Sequence, residues 1–472
     1  MSPAFATVNP ATGRRVRSYR THSAAAVEAA VRRAHAAATK WRDTPVAVRG
    51  RLLRAAASIL RARADAYAAL ITQEMGKPRA EAKAEVLKCA GACEFYARHG
   101  RAFLAPEQPP GTAENVRVVF EPLGVVLAIM PWNFPFWQVF RAAVPALLAG
   151  NTVLLKHSPN VSGCALAIAR CLGSAASASA PAKARVQRAT AGSTQHLLQT
   201  LLIPTDKIPA LIADPRIQGV TFTGSTGAGR AVAALAGAAM KHGVFELGGS
   251  DAYVILGDAD LDQAAEICAQ SRLLNAGQSC ISAKRFIVVA PVRRPFEEKF
   301  AARLAARRVG DPRDPATAIG PMARRDLRDH LHAQVQASLA AGARLRLGGR
   351  PLPGPGFFYP PTLLTGVRRG QPAHDEELFG PVAAVIAVRD EAAAIAAAND
   401  SVYGLGAAVF SRDLRRARRV AARIQAGTVA INDFVRSDPA VPFGGIKLSG
   451  HGRELGLPGL REFANVKAIR LS

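Results

Sequence analysis

Apolar positions in this chain follow two alternating spacings. From Ser23 to Trp41 and from Val46 to Glu74, apolar residues recur at three- and four-residue intervals among Ala and Arg, which predicts two amphipathic helices. Gly76-Lys77-Pro78 stops the second of them. Shorter, continuous apolar runs follow at Val125 to Met130 and Thr152 to Lys156, bounded by Gly, Pro or Asn and separated by a helical stretch from Phe140 to Leu148. Gln218 to Gly224 reads as a further strand that enters a glycine turn and then a helix from Ala228 to Ala239. Buried strands alternating with helices predict an α/β fold, a mostly parallel sheet covered by helices.

Composition widens this picture before narrowing it. With 472 residues, 49% of them hydrophobic, the chain can bury large cores and is expected to form two or more domains. A net charge of +26 raises the question of nucleic acid or an anionic membrane surface. The arginines, however, are scattered along helical stretches such as Arg49 to Arg63 and Arg415 to Arg423, without interleaved aromatics. Solvated helix faces explain them better, so no nucleic-acid partner is expected. Cys89, Cys93, Cys164, Cys171, Cys268 and Cys280 form no CxxC pair and no disulfide framework, which points to a reducing compartment. Cys89 and Cys93 fall one helical turn apart, but no second ligand pair accompanies them or His330 and His332, so no metal site is expected. The N-terminus lacks a basic region followed by an apolar run, and Glu121, Pro122 and Pro131 interrupt the hydrophobic stretch from Val118 to Trp137. The expectation is a cytoplasmic protein without a membrane span.

Candidate chemistry gathers around two short segments. Asn275-Ala276-Gly277-Gln278-Ser279-Cys280 and Phe245-Glu246-Leu247-Gly248-Gly249 each place one reactive side chain beside backbone-permissive residues. A thiolate can attack an aldehyde carbon, after which the adduct must lose hydride to an acceptor and be released by water. Such a reaction needs a nucleophile, a base and a dinucleotide site.

Taken with their neighbours, these residues resemble the aldehyde dehydrogenase superfamily, with Cys280 matching its nucleophile and Glu246 its general base. Pro131-Trp132-Asn133-Phe134-Pro135 looks like the family's oxyanion segment, Gly224-Ser225-Thr226-Gly227-Ala228-Gly229 its dinucleotide turn, and Glu377-Leu378-Phe379-Gly380-Pro381 its ribose clamp. Pro442-Phe443-Gly444-Gly445, Lys447, Ser449-Gly450 and Gly452-Arg453-Glu454 complete a series that begins at Asn9-Pro10-Ala11-Thr12-Gly13. The resemblance implies a Rossmann-type dinucleotide-binding domain (1–106 and 121–246), an α/β catalytic domain (247–440) and a small β oligomerisation arm (107–120 and 455–472). A homodimer or homotetramer follows from it. It also implies cofactor contacts from Trp132, Lys156, Ser158, Gly224, Ser225, Gly229, Glu377 and Phe379, and an oxyanion site at the Asn133 amide and the Cys280 N–H.

Subgroup features sharpen the substrate and the cofactor. Phe136-Trp137-Gln138-Val139, Lys156-His157-Ser158-Pro159-Asn160 and Gly248-Gly249-Ser250-Asp251 are most similar to bacterial succinate-semialdehyde dehydrogenases. A substrate carboxylate calls for a cation and hydroxyl donors. The resemblance offers Arg141 and Ser437; an ion pair is the other reading of Arg141, and Leu274 stands where some relatives carry a further arginine. Many relatives place an acidic residue three positions after Lys156, where it would repel a 2′-phosphate, and here that position is Pro159. NAD is therefore expected, with NADP tolerated. The competing readings are a dehydrogenase for another aldehyde and a non-catalytic basic binding protein. One stretch departs from the family: 172–199, with its Ser174-Ala175-Ala176-Ser177-Ala178-Ser179-Ala180 run, reads as a low-complexity surface insertion or a locally altered reading frame.

Overall fold

Val125–Met130 is the wholly buried centre of the first of two large sheets. The computed structural model describes residues 4–112, 115–179 and 196–470. The first sheet has six strands in the order Gly450–His451, His242–Glu246, Ile217–Thr223, Val125–Met130, Thr152–His157, Leu198–Thr200, all parallel except the first. The chain leaves Val125–Met130 toward one edge and returns on the other side at Ile217–Thr223, so the strand order reverses between these two strands. Clefts at the carboxyl ends of such strands are where open α/β sheets bind ligands. Pro131-Trp132-Asn133 and Gly224-Ser225 leave the sheet at that point.

The second sheet has seven strands, in the order Arg344–Leu347, Thr362–Thr365, Val382–Val388, Arg285–Val289, Ala252–Ile255, Gly406–Phe410, Thr428–Ile431, parallel apart from the Arg344–Leu347 edge. Apart from both sheets, Val116–Pro122 pairs antiparallel with Ala464–Arg470 in a two-stranded arm.

The predicted elements are present with three changes. Ser23 caps the helix Ala24–Arg42 by accepting a hydrogen bond from Ala26 N at 3.2 Å. The stretch from Val46 to Glu74 is two helices, Val46–Ala62 and Ala64–Met75, ending at left-handed Gly76. The break at Arg63 has no signal in the apolar spacing, because Leu60, Ala64, Tyr67, Ala68 and Ile71 are all buried and continue one stripe across it. Within the atypical segment, 172–178 is not an insertion loop but the end of the helix Ser162–Ala178, with Leu172, Ala175 and Ala176 buried; 180–195 lies outside the described residues, and Leu198–Thr200 is the edge strand of the first sheet. The third change concerns Arg49, which is not on a solvated helix face. It is buried, and its guanidinium donates to the Leu148 and Thr44 carbonyls at 2.7 Å each, whereas Arg51, Arg54, Arg61 and Arg63 are exposed.

Candidate active site

Three consecutive left-handed residues, Asn275 (φ 57°), Ala276 (φ 53°) and Gly277 (φ 71°), lead into Cys280. Non-glycine residues rarely adopt this conformation, and its cost must be met by surrounding contacts. Those contacts are dense. Arg272, fully buried, donates to the Gly277 and Ala283 carbonyls at 2.5 and 2.8 Å. The Asn275 side-chain amide donates to the Asn133 and Gln278 carbonyls at 2.7 and 3.1 Å, and Asn275 N donates to Glu81. Lys284, also buried, donates to the carbonyls of Ser279, Cys280 and Ser282. The loop is thus held from both sides at the mouth of the second sheet.

Cys280 lies between two cavities and lines both. The first, about 480 Å³, is bounded by Trp132, Asn133, Gly224–Gly227, Gly248, Glu377, Phe379 and Tyr403. The second, about 420 Å³, is bounded by Lys88, Phe134, Trp137, Arg141, Leu274, Ser437 and Phe443. Gln138 also lines both, and its side-chain amide donates to Asn133 Oδ1 at 3.4 Å.

The first cavity has the parts a dinucleotide needs. Ser225 caps the helix Thr226–Ala238, whose N-terminal N–H groups open toward the cavity and can receive a phosphate. Trp132 and Phe379 meet edge to face, with ring centroids 5.8 Å apart. Glu377 accepts a hydrogen bond from Gly249 N at 3.0 Å and lies 3.5 Å from Lys284. A Cβ on Gly248 would come within 2.6 Å of Glu377 Oε2, so glycine there keeps room for the carboxylate. Gly229 serves packing: a Cβ would fall 2.2 Å from Leu247. Lys156 and Ser158 stand outside this wall, at the end of the adjacent strand; Lys156 is buried and Ser158 donates to Asn160 Oδ1 at 2.6 Å.

Electrostatics at the centre oppose ionisation. Burial pushes the Cys280 thiol up to about 12, while Arg141 and Lys284 pull the other way. Cys280 is the one cysteine among the described residues that is only half-buried; the other five are buried. Its alkylation by iodoacetamide in the protein alone should therefore rise about tenfold per pH unit over roughly pH 7 to 9, because thiolate is the reactive form. Peptide mapping of the modified protein checks this, and a rate that levels off below about pH 8 would contradict it.

Glu246 is set back from both cavity walls. It is 1% exposed, and neither carboxylate oxygen has a hydrogen-bond partner among the described residues. Burial raises its pKa well above the ordinary carboxylate range, Glu454 adds to this, and Arg141 opposes it. Arg141 reaches the second cavity, yet its guanidinium is in a buried ion pair with Glu454 and lies 4.6 Å from the Phe443 ring. Its charge is thereby compensated within the protein. Ser437 accepts hydrogen bonds from Lys88 Nζ at 2.7 Å and Trp137 Nε1 at 3.0 Å. Lys88 and Lys284 were not singled out in the sequence, and Glu454 was named there only within the Gly452-Arg453-Glu454 motif. For Lys284 the available signal was two adjacent cations, Lys284-Arg285, directly before an apolar strand.

The profile of the aldehyde dehydrogenase family matches residues 1–469. Succinate semialdehyde dehydrogenase Sad of Escherichia coli (strain K12), named for NAD(P)+, is 47% identical over 464 residues, covering 98% of this chain and 96% of that protein. Succinate-semialdehyde dehydrogenase 1 of Mycobacterium tuberculosis (strain ATCC 25618 / H37Rv), named for NADP+, is 45% identical over 470 residues, covering 98% and 99%. The crystal structure of succinic semialdehyde dehydrogenase from Streptococcus pyogenes in complex with NADP+ superposes with a TM-score of 0.93 at 35% identity, covering 99% of this chain and 100% of that one.

Proposed function

The chain belongs to the aldehyde dehydrogenase family, and from that premise we propose that it oxidises succinic semialdehyde to succinate with NAD(P)+, using Cys280 as nucleophile and Glu246 as base. The observation that carries this reading is the position of Cys280 on the shared wall of two cavities. One has a helix N-terminus and a carboxylate suited to a dinucleotide, and the other has cationic and hydroxyl groups suited to a carboxylate.

The chemistry then follows from the residues. The Cys280 thiol gives its proton to solvent as its Sγ bonds to the aldehyde carbon, and negative charge develops on the carbonyl oxygen. The Cys280 N–H and the Asn133 side-chain amide receive that charge; Asn133 gives one N–H to the Gln278 carbonyl at 3.1 Å and has a second to offer. A bound nicotinamide ring supplies the acceptor for the hydride that leaves the same carbon. Trp132, Ser225, Glu377 and Phe379 line the cavity that would hold the cofactor, and Lys156 and Ser158, outside that wall, would meet its adenosine portion. The acyl group remains on Cys280 as a thioester. Glu246 takes a proton from water as the water attacks, which requires its side chain to turn from its recess toward Cys280; its lack of hydrogen bonds supports that freedom. Product is released as a carboxylate and the thiol is restored.

In this reading the two sheets are separate dinucleotide-binding and catalytic domains. The Val116–Pro122 and Ala464–Arg470 arm joins subunits of a cytoplasmic oligomer. Exposed Val466 and Ile469 on that arm support the assignment.

Initial rates of NADH and NADPH formation test the function. The kcat/KM for succinic semialdehyde should exceed that for butanal, an uncharged aldehyde of the same carbon number, by about 10-fold or more, as expected for a charge-assisted contact. Equal values would overturn the substrate assignment while leaving the aldehyde chemistry.

A further inference from the structure

Among the described residues, three of the four cations on the wall of the second cavity, Lys77, Arg141 and Arg436, are ion-paired within the protein, the last with Asp433, and Lys88 is not; of the carboxylates there, Asp438 accepts from Ala440 N at 2.8 Å. Lys77 is in a buried ion pair with Glu85, whose other oxygen accepts from the N–H groups of Phe136 and Trp137 at 2.8 and 3.0 Å. Glu81 accepts from Asn275 N at 2.9 Å. Arg141 is paired with Glu454. Lys88, on the same helix, Arg79–Phe103, has no carboxylate within ion-pair distance among the described residues. Its ammonium donates to the Ser437 hydroxyl at 2.7 Å and lies 4.3 Å from the centre of the Trp137 ring. A half-buried ammonium in a mainly apolar cavity, served by a hydroxyl and a ring face, lacks the compensation a carboxylate would give. Burial, with Arg141 adding to it and the more distant carboxylates Glu85 and Asp438 opposing it, lowers its pKa to about 8, so its charge is held at a cost that an anion in direct contact would relieve.

Resting on the proposed oxidation of a semialdehyde, we infer that Lys88, together with Ser437, is the anchor for the substrate's remote carboxylate and the residue that sets specificity for an aldehyde bearing an anion. Arg141 is left to hold Glu454 and the floor beneath Cys280. Lys88 acts by binding and takes no part in bond making, so its removal should change recognition of the carboxylate and leave the chemistry at Cys280 intact.

Steady-state rates of the full-length protein and its Lys88→Met and Lys88→Arg variants, with succinic semialdehyde and with butanal, test this. Lys88→Met should lower kcat/KM for succinic semialdehyde roughly 10- to 100-fold, mainly through KM. Butanal turnover should change less than about threefold, which also reports that the protein is folded. Lys88→Arg, keeping the charge, should recover most of the loss. Parallel losses on both aldehydes in Lys88→Met would show a structural role and overturn the inference. So would a Lys88→Met enzyme that keeps its preference for succinic semialdehyde. If the unaltered protein shows no such preference, the proposed substrate fails instead, and the two failures are thereby distinguished.

Discussion

Replacing Cys280 by alanine should reduce aldehyde oxidation by at least about 10³-fold with every aldehyde and with either dinucleotide, since loss of a nucleophile removes the covalent route altogether. Stability should change little. Cys280 is only partly buried and makes no side-chain hydrogen bond among the described residues, while the loop that carries it is held by Arg272, Asn275 and Lys284 acting on backbone carbonyls. Rates together with a thermal melt check both parts. A variant that unfolds would show that the thiol is a packing element; one that keeps turnover would remove the thiohemiacetal from the mechanism.

Glu246→Gln should separate the two halves of the reaction. Hydride transfer precedes the step that needs the base, so one equivalent of NADH or NADPH per active site should form rapidly. Steady-state turnover should then fall about 10²- to 10⁴-fold, the usual worth of a general base. Stopped-flow absorbance resolves burst from steady state. The pH dependence has a definite sign. Burial raises the Glu246 pKa, so in the resting arrangement the carboxyl holds its proton to higher pH than an exposed glutamate, and the base form is gained as pH rises. Thioester hydrolysis should accordingly increase with pH in the unaltered enzyme, and this rise should be absent from Glu246→Gln. Loss of the burst together with turnover would move Glu246 to an earlier step.

Much of this architecture was legible because local pattern and tertiary environment agree. Val125–Met130 and Thr152–His157 are continuous apolar runs, and both are wholly buried in a parallel sheet. The helix after Gly224-Ser225 begins where the turn allows it, at Thr226. Asn133, Ser225, Glu377 and Cys280 converge on one cleft because each follows the carboxyl end of a strand or sits in a loop facing that end. What was hidden depends on long-range pairing. Lys88 sits in an Ala- and Arg-rich amphipathic helix, where a lone cation has the pattern of a solvated face, and its partner Ser437 is 349 residues away. Arg141 shows the same limit: the family resemblance offered it as a substrate contact, but its pairing with Glu454, 313 positions later, was invisible until the first sheet brought the two together. Arg63 interrupts a helix whose apolar stripe runs on unchanged, so periodicity alone had no reason to stop there.

The account turns on one covalent species, an acyl group derived from succinic semialdehyde held on Cys280 until Glu246 admits water. The most direct test is mass spectrometry of Glu246→Gln protein quenched in acid after a single turnover with succinic semialdehyde and NAD(P)+. A succinyl adduct on the peptide carrying Cys280, absent when dinucleotide is omitted, is the predicted result. Reduced dinucleotide formed with no adduct, or an adduct on any other cysteine, would contradict the account.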